Sequence, residues 1–173
     1  MTQETYVENL KEVINNKKRI ETGLNIKLTN KGKNVFATGK AENEFTALEV
    51  LQAINLGFSA LHALQLKDEN IILQTLNIKE LTKRNDLERV RARIIGTHGR
   101  TLQTLSKLTN CNLSLHDNQI GIIGQAEEMD DAIQSVTSLV QGSKQGNVYG
   151  RLERHRKKKN TEPDPLDMEE SVN

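Results

Sequence analysis

Arg91-Ala-Arg-Ile-Ile-Gly-Thr-His-Gly-Arg-Thr101 holds a G-x-x-G tetrapeptide, Gly96 to Gly99, with Arg91, Arg93 and Arg100 close around it. Behind it, Leu102, Leu105 and Leu108 recur every third position, the pattern of an amphipathic helix beginning near Thr101. Glycine has no Cβ, so it takes positive φ and lets another backbone approach closely. A helix start offers unpaired N–H groups and the positive end of the macrodipole, which suits a phosphate. Two glycines just ahead of a helix, among arginines, read as a clamp for a phosphodiester backbone. A plain helix-to-helix turn also uses two glycines, so the surrounding chain has to decide.

Upstream, Ile71 to Ile78 reads as a strand, with Leu76 and Ile78 in alternation, and a short helical piece near 80–90 leads into the tetrapeptide. Downstream, Asn112-Leu-Ser-Leu115 and Ile120-Gly-Ile-Ile123 form a hairpin about His116–Gln119. Residues 126–141 are helical, with Met129, Ala132, Ile133, Val136 and Val140 on one stripe. Gly146–Gly150 then links to a basic helix over 150–159.

The first part of the chain carries similar signals. Residues 5–21 read as a helix with Val7, Leu10, Val13 and Ile14 on one side, stopped by Gly23. Leu24–Leu28 and Val35–Thr38 read as strands about a turn at Gly32. From Glu42 to Leu66 the period is helical, through Phe45, Leu48, Leu51, Ile54, Phe58 and Leu61, with Gly57 dividing the run. Thr22–Leu28 matches Thr109–Leu115 at an offset of 87, with the first hairpin loop two residues longer, which predicts two copies of one unit. The same offset carries Gly96–Gly99 onto Asn9–Glu12, where there is no glycine. The polar break Asp68-Glu-Asn70 divides the copies.

The chain has 173 residues, no Trp and a net charge of +1 that conceals an uneven distribution. Residues 83–107 carry +5 and 144–159 carry +6, whereas 160–173 carry −5. Basic charge gathered in two places marks a polyanion partner. The single cysteine, Cys111, excludes an internal disulfide framework and reads as a buried apolar filler. No apolar run approaches the roughly 20 residues that span a membrane, so the expectation is a soluble cytoplasmic protein. The histidines lack metal-ligand spacing, no convergent acid–base or nucleophile–base set is present, and there is no Walker-type G-x-x-x-x-G-K. No enzyme activity, metal or cofactor is therefore expected.

A strand, a short helix, G-x-x-G, a second helix, a hairpin and a closing helix is the order of a type I KH domain, a module that clamps about four nucleotides beside its G-x-x-G loop. The likeness goes further. Leu87-Glu88-Arg89, Gly99-Arg100-Thr101, Val148-Tyr149, Leu152–Arg156 and, earlier, Leu56-Gly-Phe-Ser59 with Ala63-Leu64 are similar to the partner-of-Nob-one family of small-ribosomal-subunit assembly proteins. The resemblance implies an α+β fold of two tandem type I KH-like domains, each a three-stranded sheet covered by helices on one face. The division is a degenerate domain without G-x-x-G at 1–68, a KH domain with its basic helix at 69–159, and a disordered acidic tail at 160–173. Archaeal relatives usually carry a second G-x-x-G in the first domain; this chain shares its loss with eukaryotic members.

The implied function is single-stranded RNA binding by the second domain at the 3′ end of small-subunit rRNA, with the nuclease and methyltransferase that mature it as partners. Gly96 and Gly99 would let the RNA backbone approach, with Thr97 and His98 between them and Thr101 at the helix start. Lysine is frequent at the x-x pair of KH loops, and Thr97-His98 attracts phosphate less. Arg91, Arg93 and Arg100 would meet phosphates or stack on bases. Ile94, Ile95 and Leu113 would form the apolar floor, with Lys107 at the rim and Arg154 and Arg156 adding contacts from the basic helix. The alternative is a protein-interaction scaffold whose KH fold binds little RNA.

Overall fold

A computed structural model describes residues 2–161. The first half runs β1 (Thr2–Tyr6), α1 (Leu10–Asn15), α2 (Lys17–Leu24), β2 (Ile26–Lys31), β3 (Asn34–Gly39) and α3 (Ala41–Asn55). A short helix, α4 (Ala60–Ala63), and a 3-10 turn, Leu64–Lys67, lead to the second half. This runs β4 (Ile71–Asn77), α5 (Ile78–Leu81), α6 (Leu87–Ile95), α7 (Arg100–Thr109), β5 (Asn112–His116), β6 (Gln119–Gln125), α8 (Ala126–Val140) and α9 (Gln145–Thr161). Each half forms one antiparallel three-stranded sheet, ordered β1-β3-β2 and β4-β6-β5.

Alternation sets the sheets. On β2, Ile26 and Leu28 turn inward and Lys27 and Thr29 turn out to water. Helical spacing sets the cover. On α8, Met129, Ala132, Val136, Leu139 and Val140 are buried on one stripe. One core gathers Val13, Ile20, Leu28, Val35, Leu51 and Ile54. A second gathers Ile78, Ile94, Leu105, Ile120, Ile122 and Leu139.

The cores meet across β6. Ile122 belongs to the second core and its neighbour Ile123 to the first, so β6 is buried on both faces. Gly121 permits this approach: a Cβ there would lie 2.6 Å from the Phe58 ring. Ser114 donates to the Leu56 carbonyl (2.8 Å), Asn112 to Gln65 Oε1 (2.9 Å), and His116 Nε2 lies 3.0 Å from Glu8 Oε2. The second sheet therefore has helices on one face and the first half of the chain on the other. The outward residues of the first sheet, among them Thr2, Glu4, Lys27, Thr29 and Lys31, are exposed.

Several expectations are corrected. Residues 5–21 are not one helix. Thr2–Tyr6 is an edge strand paired with β3, and the helical part is split at Asn16. Gly23 lies inside α2, which ends instead at Asn25 in the left-handed conformation. Leu24 is helical, so its strand begins at Ile26. Phe45 and Leu61 are exposed; Ala47, Val50 and Ala53 share the buried stripe with Leu51 and Ile54. The helical piece near 80–90 is two helices, α5 and α6, and the final helix begins at Gln145, five residues early.

The repeat offset is 85, not 87. Lys31 pairs with Asn34 as His116 pairs with Gln119, and Lys27 with Thr38 as Asn112 with Ile123. Both hairpin turns thus have two residues. Of the acidic stretch 160–173, Asn160 and Thr161 close α9, and the remainder lies outside the described residues.

Candidate nucleic-acid interface

The α6–α7 corner is built by backbone that only glycine adopts easily. α6 buries Val90 and Ile94 and ends at Gly96, whose φ is 74° and ψ 176°. The Gly96 N–H still donates to the Ala92 carbonyl at 2.9 Å. A Cβ at Gly96 would lie 2.7 Å from Thr101 Cβ and 2.8 Å from its amide nitrogen, so nothing larger fits. His98 (φ 53°) and Gly99 (φ 73°) continue in the left-handed region, and Gly99 N–H donates back to Gly96 O at 3.2 Å. A left-handed conformation costs a non-glycine residue about 1–2 kcal/mol, which His98 bears here. Around Gly99 there is open space, and the Thr97 and His98 side chains are exposed. α7 then starts at Arg100, whose N–H donates to the Thr97 carbonyl, and among the described residues no side chain caps this helix start.

The arginines diverge. Arg91 Nη1 donates to Asn118 Oδ1 at 2.7 Å, which ties α6 to the β5–β6 turn. Arg93, two residues on, lies on another side of the helix. Its Nη2 donates to the carbonyls of Gly142 (3.0 Å) and Ser143, where α8 hands over to α9. Gln145, the first residue of α9, donates to the Thr101 hydroxyl at 3.0 Å and lies 3.5 Å from the Arg93 carbonyl. Thr101 is only 4 % exposed. The glycine turn is thus braced from behind by the start of α9. Arg100 is exposed and makes no ion pair among the described residues. Lys107 is exposed seven residues along α7, on the same side of the helix as Arg100. Ahead of α6, the Arg84 guanidinium, 3.0 Å from Asp86, holds that carboxyl below its usual range.

Of the apolar candidates, Ile95 alone reaches solvent, at 39 % exposure. Ile94 is wholly buried and Leu113 sits at the core margin, both packed in the second core. Arg154 and Arg156 stand apart from the corner, roughly 14 and 17 Å along α9 from Gln145 at 1.5 Å per residue. Arg156 shares a cleft with Glu128, Asp131 and Lys159. The row 151, 155, 159 docks α9 on α8: Arg151 to Ser135 Oγ (3.2 Å), His155 to Asp131 (3.0 Å) and Lys159 to Glu128 (3.0 Å). The hydrogen bond from Lys159 to Glu128 raises the lysine's pKa. Part of the basic charge counted in 144–159 is therefore matched within the fold.

Between the corner and α9 lies a cleft of about 510 Å³, lined by Arg93, Thr97, Arg100, Thr104, Gln145 and Tyr149 among others. Sequence reasoning missed Thr104, Gln145 and Tyr149 as neighbours of the turn. The one signal for them was the Val148–Leu152 pair, which is buried at helical spacing. Among the described residues no group of His, Cys, Asp or Glu could hold a metal, and no helix is long and apolar enough to cross a membrane.

Residues 72–157 match the model of a eukaryotic type KH domain, KH-domain type I. Over 157 residues the chain is 30 % identical to the KH domain-containing protein MJ0443 of Methanocaldococcus jannaschii, covering 83 % of this chain and 66 % of that one. It is 31 % identical over 107 residues to the pre-rRNA-processing protein PNO1 of Debaryomyces hansenii, covering 60 % of this chain and 42 % of that one. It thus spans less than two thirds of either relative. In the a/eIF2alpha-aDim2p-rRNA complex from Pyrococcus horikoshii OT3, a chain 27 % identical superposes with a TM-score of 0.81, over 91 % of this chain and 95 % of that one.

Proposed function

The chain belongs to the PNO1/Dim2 family of KH-domain proteins, and on that premise we propose that it is a ribosome-assembly factor that holds single-stranded RNA. The RNA is the 3′ end of small-subunit rRNA, and the holder is a second KH unit over 69–159. The first unit, 1–68, lacks the loop and serves as its support. The observation that carries this reading is the Gly96–Gly99 corner, which offers an open backbone surface, the start of α7 and the exposed guanidinium of Arg100, which makes no ion pair among the described residues. The rRNA in the complex of the Pyrococcus relative supports it.

The geometry supports the following roles. Gly96, Thr97, His98 and Gly99 pass the phosphates, with Thr101 fixing the turn beneath. Arg100 contributes charge, and Lys107 extends it along α7. Arg91 and Ile95 flank the bases, Ile94 and Leu113 support them from within the core, and Arg93 holds the turn. Arg154 and Arg156 act on RNA only beyond the clamped segment. The protein acts in the cytoplasm, by binding rather than catalysis. Its protein partners are the rRNA-maturation nuclease and methyltransferase, together with an a/eIF2alpha-type factor.

The test is a binding isotherm for an oligonucleotide from the 3′ end of the small-subunit rRNA, with wild type and Thr97→Asp/His98→Asp, at two salt concentrations. Two carboxylates beside the phosphates are expected to cost on the order of 1–3 kcal/mol, and wild-type affinity to fall with salt through counterion release. Equal binding by both proteins would move the RNA to α9. No binding by wild type would favour the scaffold reading, which the bonds of the Arg91 and Arg93 guanidinium groups within the fold already make a competitor.

A further inference from the structure

We propose that the cleft between the Gly96–Gly99 corner and α9 is a further nucleotide site, taking the phosphate and sugar that adjoin the nucleotides clamped by the turn. This rests on the RNA-binding reading of that turn. Gly96 and Thr97 line both the corner and the cleft, so a strand lying on the turn enters the cleft directly. The volume, about 510 Å³, falls within the roughly 300–1,000 Å³ of small-molecule sites.

The lining chemistry selects an anion with a sugar attached. Its charged side chains are Arg93 and Arg100, and no carboxylate lines it among the described residues. Arg93 is spent on the carbonyls of Gly142 and Ser143, whereas Arg100 makes no ion pair among the described residues and is free to meet a phosphate. The Thr104 hydroxyl donates to Arg100 O at 2.8 Å and keeps its lone pairs for a sugar hydroxyl. Gln145 spends its amide N–H groups on Thr101 and Arg93, which leaves its carbonyl oxygen as an acceptor. Tyr149, half-buried, supplies an aromatic wall of the kind that sugars and bases pack on.

The far wall is also fixed in place. The bonds from Arg93 to Gly142 and Ser143, and from Gln145 to Thr101, join the start of α9 to the glycine turn. A site held open by existing bonds loses little entropy when it fills. α9 then has a role beyond packing, since without Gln145 and Tyr149 the cleft has one wall.

The test is a length series of single-stranded RNA on the full chain. A four-nucleotide strand that fills the clamp is compared with strands one nucleotide longer at either end, for wild type and Thr104→Glu. The readout is the ratio of long-strand to short-strand affinity, because a general change in charge moves both together. In wild type the ratio at one end is expected to be roughly five- to tenfold, one charge-assisted contact. The slope of log K against log salt should steepen by about 0.7, one more phosphate on a single strand. Thr104→Glu should return the ratio to about one, with helicity and melting temperature unchanged. A ratio of one at both ends in wild type, or a ratio that survives Thr104→Glu, overturns the site and leaves the clamp standing. A short strand that does not bind at all overturns both readings.

Discussion

In the first half of the molecule α1 runs into α2 through one residue, Asn16, with φ −112° and ψ 13°. In the second half α6 and α7 are parted by Gly96–Gly99, and three of those four residues have positive φ. The hairpins and the long helices that follow share one register at an offset of 85, and in each half the corner joins the two helices that precede the hairpin. Their chemistry is opposite. Asn16 donates its side-chain amide to the Glu12 carbonyl (2.9 Å) and carboxylate (3.2 Å), and its backbone N–H to Glu12 O. Glu12 Oε1 also accepts from Ala60 N–H at 2.9 Å. The first corner is closed on itself and tied into the fold, while the second leaves open space about Gly99 and exposes the Thr97, His98 and Arg100 side chains. One fold thus supports a corner tied into the chain by Asn16 and Glu12 and another whose turn stands open.

The sharpest way to break this comparison is to put a side chain into the open corner. Gly96→Ala forces a Cβ against Thr101 at an unfavourable φ, and is expected to destabilise by about 1–3 kcal/mol and to lower RNA affinity more than tenfold. Gly99→Ala meets no atom, so its cost is backbone strain alone, about 1–2 kcal/mol. Asn16→Ala at the closed corner should cost about 1 kcal/mol of stability through its lost hydrogen bonds and leave RNA affinity unchanged. Thermal melts and isotherms on the three variants check this order.

The smallest effect concerns the residue behind each hairpin. Cys111 packs against Gly124 as Ile26 packs against Gly39, again 85 residues apart. Burial pushes the Cys111 thiol up to about 11 from an ordinary 9.0. The folded chain therefore holds this proton more tightly than the unfolded chain. Its stabilisation is complete below about pH 9 and is lost as pH rises toward 11. Urea unfolding should show wild type losing stability more steeply over that window than Cys111→Ala, while the matching position in the first half, Ile26, has nothing to titrate. Parallel profiles would mean that the thiol is in contact with water.

The second half was the more legible in the sequence, because its apolar residues keep their periods and the order of elements around its G-x-x-G decides between the readings of that turn. The first half was misread where tertiary pairing overrides local pattern. Thr2–Tyr6 is almost wholly polar and becomes a strand only because β3 offers an edge. Val7, Leu10, Val13 and Ile14 mimic a helical face, yet Val7 precedes the helix and Ile14 is exposed. Gly146 and Gly150 suggested a linker, but Val148 and Leu152 dock against the second core and hold those turns helical. At the site, residue identities were legible and directions were not. Arg91, Arg93 and Arg100 look alike in sequence, and only the partners Asn118, Gly142 and Ser143 distinguish a bound guanidinium from a free one.

The most direct test of the central claim is an amide chemical-shift titration of the full chain with the rRNA oligonucleotide. The account predicts that the largest shifts fall between Arg93 and Leu105, centred on Gly96–Gly99, with residues 12–19 about Asn16 unmoved. Shifts centred on the Asn16 corner, or on α9 with the glycine turn silent, would contradict it.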